Sequence, residues 1–432
     1  MSPYQLCFVK YNCDYKIYST KLIKKNIVSI YNMKYSNRHI LAALNENVFT
    51  KQDMKEQYKF SELPVLKRIV DMIYVGENNY NKLLSRFMLI RSYQLQLPEY
   101  LPDVINQSIQ NMSIQSYSGR FSIQDRIFDI RLILDARKKY KHHDIDEFFK
   151  KMYIWLHIAS EFASPQCSKY MKINMYFTSH KKLLPNKYEA IDREHANTAF
   201  TTSCQLETEI NLFREEEWFK TFIHETFHSM GMDFSADGSH YTNQLLSQFI
   251  PIETDFRVYE TYTECWAEII HSLFVAHYHT KKHGSANMIS TFNQVLNNER
   301  RFAVFQCEKI LNHYSMKFED IYKHNALSAI RRANYKEHTH IVSYYMLKMV
   351  VMYNAKEFMM WNTKHNGISI TFNHKMQSSQ QKQKSFVQFI EKRLKKTATE
   401  HMLAKANRYI ADNHNKKNAT MQTLRMTVHE IL

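Results

Sequence analysis

Two histidines four residues apart, with a glutamate directly after the first, form the most distinctive chemical pattern in the sequence. His224, Glu225 and His228 lie in the stretch TFIHETFHSMG, residues 221–231. Residues i and i+4 share one face of a helix, so both imidazoles can bind a single metal ion while Glu225 projects beside them. Imidazole nitrogens suit Zn²⁺, and an adjacent carboxylate can act as a general base toward water. The pattern predicts a zinc site that hydrolyses peptide bonds, with Glu225 as the base.

The residues around this pattern bear on whether it is accidental. The chain has 22 histidines, so the spacing could arise by chance. However, Phe219, Phe222, Ile223 and Phe227 give the same helix an apolar face. Such a face is expected of a helix buried in a core and not of a surface helix. The flanking residues therefore favour a buried active-site helix. We expect the acidic run EEE, residues 215–217, in its first turn and Gly231 at its end.

A catalytic zinc ion needs a third protein ligand, which the stretch itself does not supply. In metzincins this ligand is a histidine six residues after the second, but Phe234 occupies that position here. Further along, YETYTECWAEIIH places Glu260, Glu264 and Glu268 on one helix face. Such a stripe repels itself unless a cation or histidines lie opposite, and the alternative is a solvated acidic face. Apolar residues such as Trp266 interleave the stripe and favour burial.

These motifs, in this order, resemble the zincin metallopeptidases of the gluzincin type. TECWAEII, residues 263–270, is similar to the ligand helix of the anthrax lethal factor type. The resemblance implies one zinc ion with Glu264 as the third ligand. It leaves Glu268 to accept a hydrogen bond from a ligand histidine, with Glu260 as the alternative ligand. It also implies a tyrosine that stabilises the transition state, for which Tyr259 and Tyr262 are candidates, although either could simply be packed.

The surrounding sequence predicts an α+β fold that is predominantly helical, because only 6 glycines and 7 prolines interrupt it. We expect a mostly helical amino-terminal domain at 1–140, a zincin-like catalytic domain at 141–290 and a helical carboxy-terminal region at 291–432 with a basic amphipathic end. In the catalytic domain the sequence predicts an inner strand in KINMYFTS, an edge strand in ANTAFTTS and a third strand in EINLFR. These strands form a small mixed sheet that leads into the active-site helix. An extended peptide or protein substrate would pair with the edge strand.

Composition and net charge indicate the kind of partner and the cellular compartment to expect. The net charge of +16 favours an acidic partner or nucleic acid, although it could serve solubility alone. The alternative function is accordingly a catalytically inactive zincin scaffold that binds nucleic acid or virion components. Six scattered cysteines without a CxxC pair suggest no disulfide framework, and neither a signal peptide nor a membrane span is expected. Abundant Lys, Asn, Tyr and Ile are typical of A/T-rich coding sequences such as those of some large DNA viruses. We expect a cytoplasmic protein, or a virion-associated one if the source is viral.

Overall fold

A mixed sheet of six strands forms the centre of the fold. The computed structural model describes residues 35–90, 97–284, 287–372, 378–395, 397–413 and 418–431, and its strands lie in the order β1-β2-β3-β4-β6-β5. Their bounds are β1 Met88–Ile90, β2 Ile114–Ile123, β3 Arg126–Asp135, β4 Tyr170–Tyr176, β5 Ala199–Thr201 and β6 Glu207–Leu212. Strand β4 is parallel to β3 and to β6, whereas the other pairs are antiparallel. Within the described residues β5 pairs with β6 alone, so it is an edge strand.

Helices account for most of the remaining regular structure. The α-helices are α1 Tyr35–Ala43, α2 Pro64–Asn81, α3 Asp103–Gln110, α4 His142–Phe162, α5 Arg193–Ala196, α6 Trp218–Ser229, α7 His240–Leu246, α8 Val258–His283, α9 Met288–His313, α10 Ala326–Arg332, α11 Lys348–Tyr353, α12 Ala355–Asn366, α13 Ser379–Leu394, α14 Thr397–Asn413 and α15 Ala419–Gln422. Two π-helical segments cover Leu44–Val48 and Val342–Leu347. The expectation of a predominantly helical α+β fold is confirmed.

Helix α6 is buried along its whole length and is held from several sides. The indole Nε1 of Trp155 on α4 donates to Oγ1 of Thr226 at 2.7 Å. The hydroxyl of Ser168, just before β4, donates to the carbonyl of Ser229 at 2.7 Å. Helix α8 packs against another side of α6. These contacts fix the helix that carries the histidine pair.

Gly231 ends this helix, as the sequence predicts. Its φ of +63° lies in the left-handed region, where a glycine is favoured. The N–H of Met232 then donates to the carbonyl of Phe227 at 2.8 Å, which closes the last turn. A Cβ at Gly231 would lie 2.8 Å from Sγ of Cys167, so the position also lacks room for a side chain. The expected acidic first turn is not present, because the preceding glutamates, Glu216 and Glu217, lie before the helix begins.

Elements of the structure continue across both expected boundaries of the catalytic region. Strands β1, β2 and β3 lie in the segment expected to be a separate helical domain, and β3 pairs with β4 along its length. The boundary at 290 falls inside α9. All the described residues belong to one compact unit. The basic carboxy-terminal end is helical, as expected, but it consists of α13 and α14.

The expectation that the cysteines form no disulfide framework is wrong for one pair. Cys167, in the turn before β4, forms a disulfide with Cys204, in the connection from β5 to β6. The two residues are separated by 37 positions and meet because the sheet places β4 and β6 side by side. Sequence spacing could not reveal a pairing that depends on this sheet order.

No helix among the described residues has the length and apolar character that a membrane crossing requires.

Candidate metal centre

Three potential ligand atoms from α6 and α8 converge at one point. Nε2 of His224 lies 3.0 Å from Nε2 of His228. Oε2 of Glu260 lies 3.1 Å from the first of these nitrogens and 3.2 Å from the second. A tetrahedral zinc ion about 2.0–2.2 Å from each ligand would space the ligand atoms about 3.3 Å apart. The three residues are buried, and their spacing fits one such ion.

Asp233 fixes the orientation of His228. Its Oδ2 contacts Nδ1 of His228 and accepts from the Thr263 hydroxyl at 3.2 Å, while its Oδ1 accepts from the N–H of Ser235 at 3.0 Å. Burial lowers the pKa of His228, but the charges of Glu260 and Asp233 outweigh it and hold the pKa well above its usual value. In the neutral ring a proton on Nδ1 faces Asp233, so Nε2 presents its lone pair to the point of convergence.

Glu264 lies on the opposite side of the His224 ring from Glu260. Its Oε1 is 2.9 Å from Nδ1 of His224, although the two atoms do not form a hydrogen bond. Nζ of Lys220 lies 2.7 Å from this carboxylate and Nζ of Lys348 lies 3.2 Å from it. Burial raises the pKa of Glu264, but the two lysines overcome it and hold the pKa well below its usual range. Glu264 is therefore a fixed anion behind the ring.

This arrangement reverses the expected order of the two carboxylates. Glu260, the alternative in the sequence, reaches the imidazole Nε2 atoms, whereas Glu264 does not. The reason is that α8 crosses α6 with its first turn nearest the histidine pair, so the next turn passes behind His224. Glu268, expected to accept from a ligand histidine, instead accepts from Nζ of Lys348 at 2.8 Å. The solvated acidic face is excluded, since all three glutamates are buried.

Glu225 lines a small cavity beside the ligands. The cavity has a volume of about 30 Å³, and its lining includes His224, Thr198, Ala199 and Tyr344. That volume is about the space of one water molecule. Burial raises the pKa of Glu225 despite the opposing charges of the two histidines. Within the described part of the chain its carboxylate makes no ion pair or hydrogen bond, so it is available to a bound molecule.

The two tyrosines expected near the reaction centre differ in their surroundings. The Tyr262 hydroxyl lies 2.9 Å from Oδ1 of Asn362 and 2.8 Å from the carbonyl of Ile370, either of which can accept its single proton, so it is bonded within the core. Tyr259 is partly buried, and its ring lies edge-on to His228 with the ring centres 6.0 Å apart. Only Tyr259 of this pair lies against a metal-binding candidate.

A third tyrosine, Tyr344, comes from the π-helical segment before α11. Its ring centre is 6.3 Å from that of His224, and it lines the same cavity as Glu225. Burial, with the charges of Glu260 and Glu225, raises the pKa of its phenol well above the usual value, which keeps it a proton donor. Sequence reasoning favoured Tyr259 and Tyr262 over Tyr344, because 119 residues separate Tyr344 from Glu225.

Asp233 and Lys220 are the other residues that sequence reasoning missed. Asp233 directly precedes Phe234, the residue at the third-ligand position of metzincins. The Phe234 ring offers no metal-binding atom and packs against Phe372, with ring centres 4.3 Å apart. Gly231 turns the chain back toward the helix, and Asp233 follows two residues later. A carboxylate at that position could have been recognised in the sequence as a partner for His228. Lys220 lies four residues before His224, on the same side of the helix, and this spacing was also visible.

Comparisons of the chain with protein-family models, with curated proteins and with solved structures found no match. The arrangement of His224, His228, Glu260 and Glu225 is therefore the basis for a function.

Proposed function

We propose that the protein is a zinc-dependent peptidase in which His224, His228 and Glu260 hold one zinc ion. The observation that carries this proposal is the triangle of ligand atoms, with sides of 3.0, 3.1 and 3.2 Å. Two imidazole nitrogens and a carboxylate oxygen this close in a buried site call for a shared cation. Two histidines with one glutamate form a known catalytic zinc set that leaves a position for water or substrate.

When bound, a zinc ion in such a site polarises a carbonyl oxygen and makes a neighbouring water more acidic. Glu225 supplies the proton chemistry. Its buried, unpaired carboxylate takes a proton from the attacking water and gives it to the leaving nitrogen of the peptide bond. A raised pKa suits both halves of this transfer, because the carboxyl has to be protonated and then deprotonated in each cycle.

Two carboxylates behind the rings keep the ligands in place. Asp233 faces Nδ1 of His228, and Glu264 faces Nδ1 of His224. A carboxylate that accepts from the ring N–H sets the ring orientation and increases the basicity of the nitrogen that faces the metal, and Asp233 is placed to do this for His228. Glu264 places a fixed negative charge beside the His224 ring. Glu264, the third ligand according to the resemblance, is thus a positioning residue.

The substrate is proposed to be a protein or peptide segment in extended form. Strand β5 is an edge strand, and the residues that lead into it line the cavity beside Glu225. An extended chain that pairs with β5 would bring one of its carbonyl groups toward this cavity. Tyr344, on another side of the cavity, is placed to donate to the negatively charged oxygen of the tetrahedral intermediate.

The test combines zinc content with turnover of an unfolded protein substrate. Purified protein should contain zinc bound through His224 and His228, and Glu225→Gln should keep the zinc while losing activity. Glu46→Gln is the matched control, because Glu46 is exposed and outside the site. Protein without zinc would refute the proposal. If the protein contains zinc but neither wild type nor Glu225→Gln cleaves the substrate, the alternative function remains. That alternative is an inactive scaffold in a basic protein that binds nucleic acid or virion components.

A further inference from the structure

A second group of metal-binding side chains lies deeper along the same helix. Glu268 and His271 of α8 face Glu299 of α9, and one ligand atom from each lies within 4.8 Å of the others. All three side chains are at most 2% exposed. None of the three belongs to the ligand set at His224 and His228.

Unpartnered atoms mark this group. Within the described residues, Oε1 of Glu268 and Nδ1 of His271 are buried and have no hydrogen-bond partner. A buried polar atom left without a partner destabilises the fold, so native structures rarely keep several together. A bound species that accepts lone pairs would satisfy both atoms at once.

Glu299 is held in place from the opposite side by the carboxy-terminal segment. Its Oε1 lies 2.6 Å from Nδ1 of His429 and accepts from the N–H of His429 at 2.9 Å. Its Oε2 accepts from the N–H of Val428 at 2.9 Å. A carboxylate oxygen has two lone pairs, so Oε2 retains the capacity to bind an ion.

The three carboxylates in and beside this group differ in their partners. Glu264, Glu268 and Glu299 are three buried carboxylates, and Lys220 and Lys348 are the two lysines paired with the first two of them. Among the described residues Glu299 has no lysine or arginine partner and is paired only with His429. A cation bound here would give Glu299 a second charged partner and would also reach the unpartnered Oε1 of Glu268.

We propose that Glu268, His271 and Glu299 bind a second divalent cation. One imidazole nitrogen and two carboxylate oxygens suit zinc or another first-row transition metal. Because the residues are buried, the ion is structural and ties α8, α9 and the carboxy-terminal segment together. His429 acts as a positioning residue that orients Glu299. The proposal does not depend on the peptidase function.

The zinc content of the equilibrated full-length protein, measured by mass spectrometry, tests this proposal. Wild type should hold two zinc ions per chain, and His271→Ala and the double variant His224→Ala/His228→Ala should hold one each. His324→Ala, which changes an exposed histidine, should keep two. A single ion in wild type that the double variant loses entirely would overturn the second site, as would two ions in folded His271→Ala. If the double variant keeps two ions while His271→Ala holds one, the peptidase proposal fails and the second site stands.

A measurement on wild type alone guards against a variant that does not fold. Crystals grown with zinc should show an anomalous scattering peak between Glu268, His271 and Glu299, in addition to any peak at His224. Well-ordered crystals without a peak at the second group would refute the site.

Discussion

The Asp233 carboxylate contacts Nδ1 of His228 across the turn that Gly231 forms. The contact joins a ligand candidate at the end of α6 to a residue only five positions further on. Because Ser235 and Thr263 also hold Asp233, the carboxylate has little freedom to move, and the ring is fixed with it.

Asp233→Ala should therefore weaken zinc binding while leaving the ligands intact. Loss of a carboxylate behind a ligand histidine typically costs 10- to 100-fold in metal affinity, and we expect a loss of about that size. Competition with a chelator of known affinity measures it. Asp237→Ala is the matched control, since Asp237 is an exposed residue of the same loop. Equal zinc affinity in the two variants would contradict the role of Asp233.

Substitution of Glu260 and of Glu264 should have different effects on zinc binding and on stability. Glu260→Gln should lose the zinc ion and remain folded. Glu264→Gln should keep zinc at reduced affinity but lose about 3 kcal/mol of stability, because the buried Lys220 then lacks its carboxylate partner. Zinc content and urea unfolding of both variants distinguish these outcomes. If only Glu264→Gln lost the metal, Glu264 would be the ligand after all.

Tyr344→Phe should lower kcat by about 100-fold without changing zinc content, since it removes a hydroxyl proposed to stabilise the developing oxyanion. Tyr262→Phe provides the comparison. Its hydroxyl is bonded within the core, so its loss should reduce stability by about 1 kcal/mol and leave kcat unchanged. Steady-state kinetics on one peptide substrate measure both. An unchanged kcat in Tyr344→Phe would remove this residue from the mechanism.

The Cys167–Cys204 disulfide should stabilise the fold by about 3–4 kcal/mol, the loop-closure value for a separation of 37 residues. Reductant should therefore lower the free energy of unfolding of the wild type by that amount. The double variant Cys167→Ser/Cys204→Ser should be destabilised to a similar extent and should no longer respond to reductant. A reductant effect that persists in the double variant would have another source.

Stability should fall in acid partly through Glu217. Burial raises the pKa of this carboxyl, but Lys182, Arg425 and Lys220 outweigh it and bring the pKa to about 2. An acid with a pKa lower in the folded than in the unfolded chain stabilises the fold above its unfolded pKa of about 4.5. That contribution, about 3 kcal/mol, is lost as the pH falls from about 4.5 toward 2.

Urea unfolding at several pH values measures this contribution. Glu217→Gln should be less stable than wild type at pH 7, and the difference should shrink below about pH 4.5. A difference that stays constant down to about pH 2.5 would show that ionisation of Glu217 does not matter.

Patterns of short range were readable from the sequence. The histidine pair predicted a buried helix, Gly231 predicted its end, and the runs at 196–203 and 209–214 predicted β5 and β6. The choice between Glu260 and Glu264 was not readable, because residues four apart on α8 share one face. Only the crossing of α8 over α6, with Lys220 and Lys348 opposite the second carboxylate, decides between them.

Strands β2 and β3 were missed for a different reason. Apolar and polar residues alternate from Phe128 to Leu132 within RIFDIRLILD, residues 126–135, so a period of two was present over part of β3. The scarcity of glycine and proline favoured helix throughout this region, and so short an alternation is the weaker of the two signals. The disulfide and the contact between Tyr344 and the site depend on distant pairings, which no local pattern encodes.

The pairing of β3 with β4 has a practical consequence for anyone who wishes to express the reactive part alone. A fragment that starts at residue 141 would keep every residue of the candidate metal centre, yet it would strip β4 of one neighbour along its whole length. An uncovered strand of this kind recruits other chains, so the fragment would aggregate before its chemistry could be assayed. The smallest useful piece of this protein has to include the hairpin of β2 and β3.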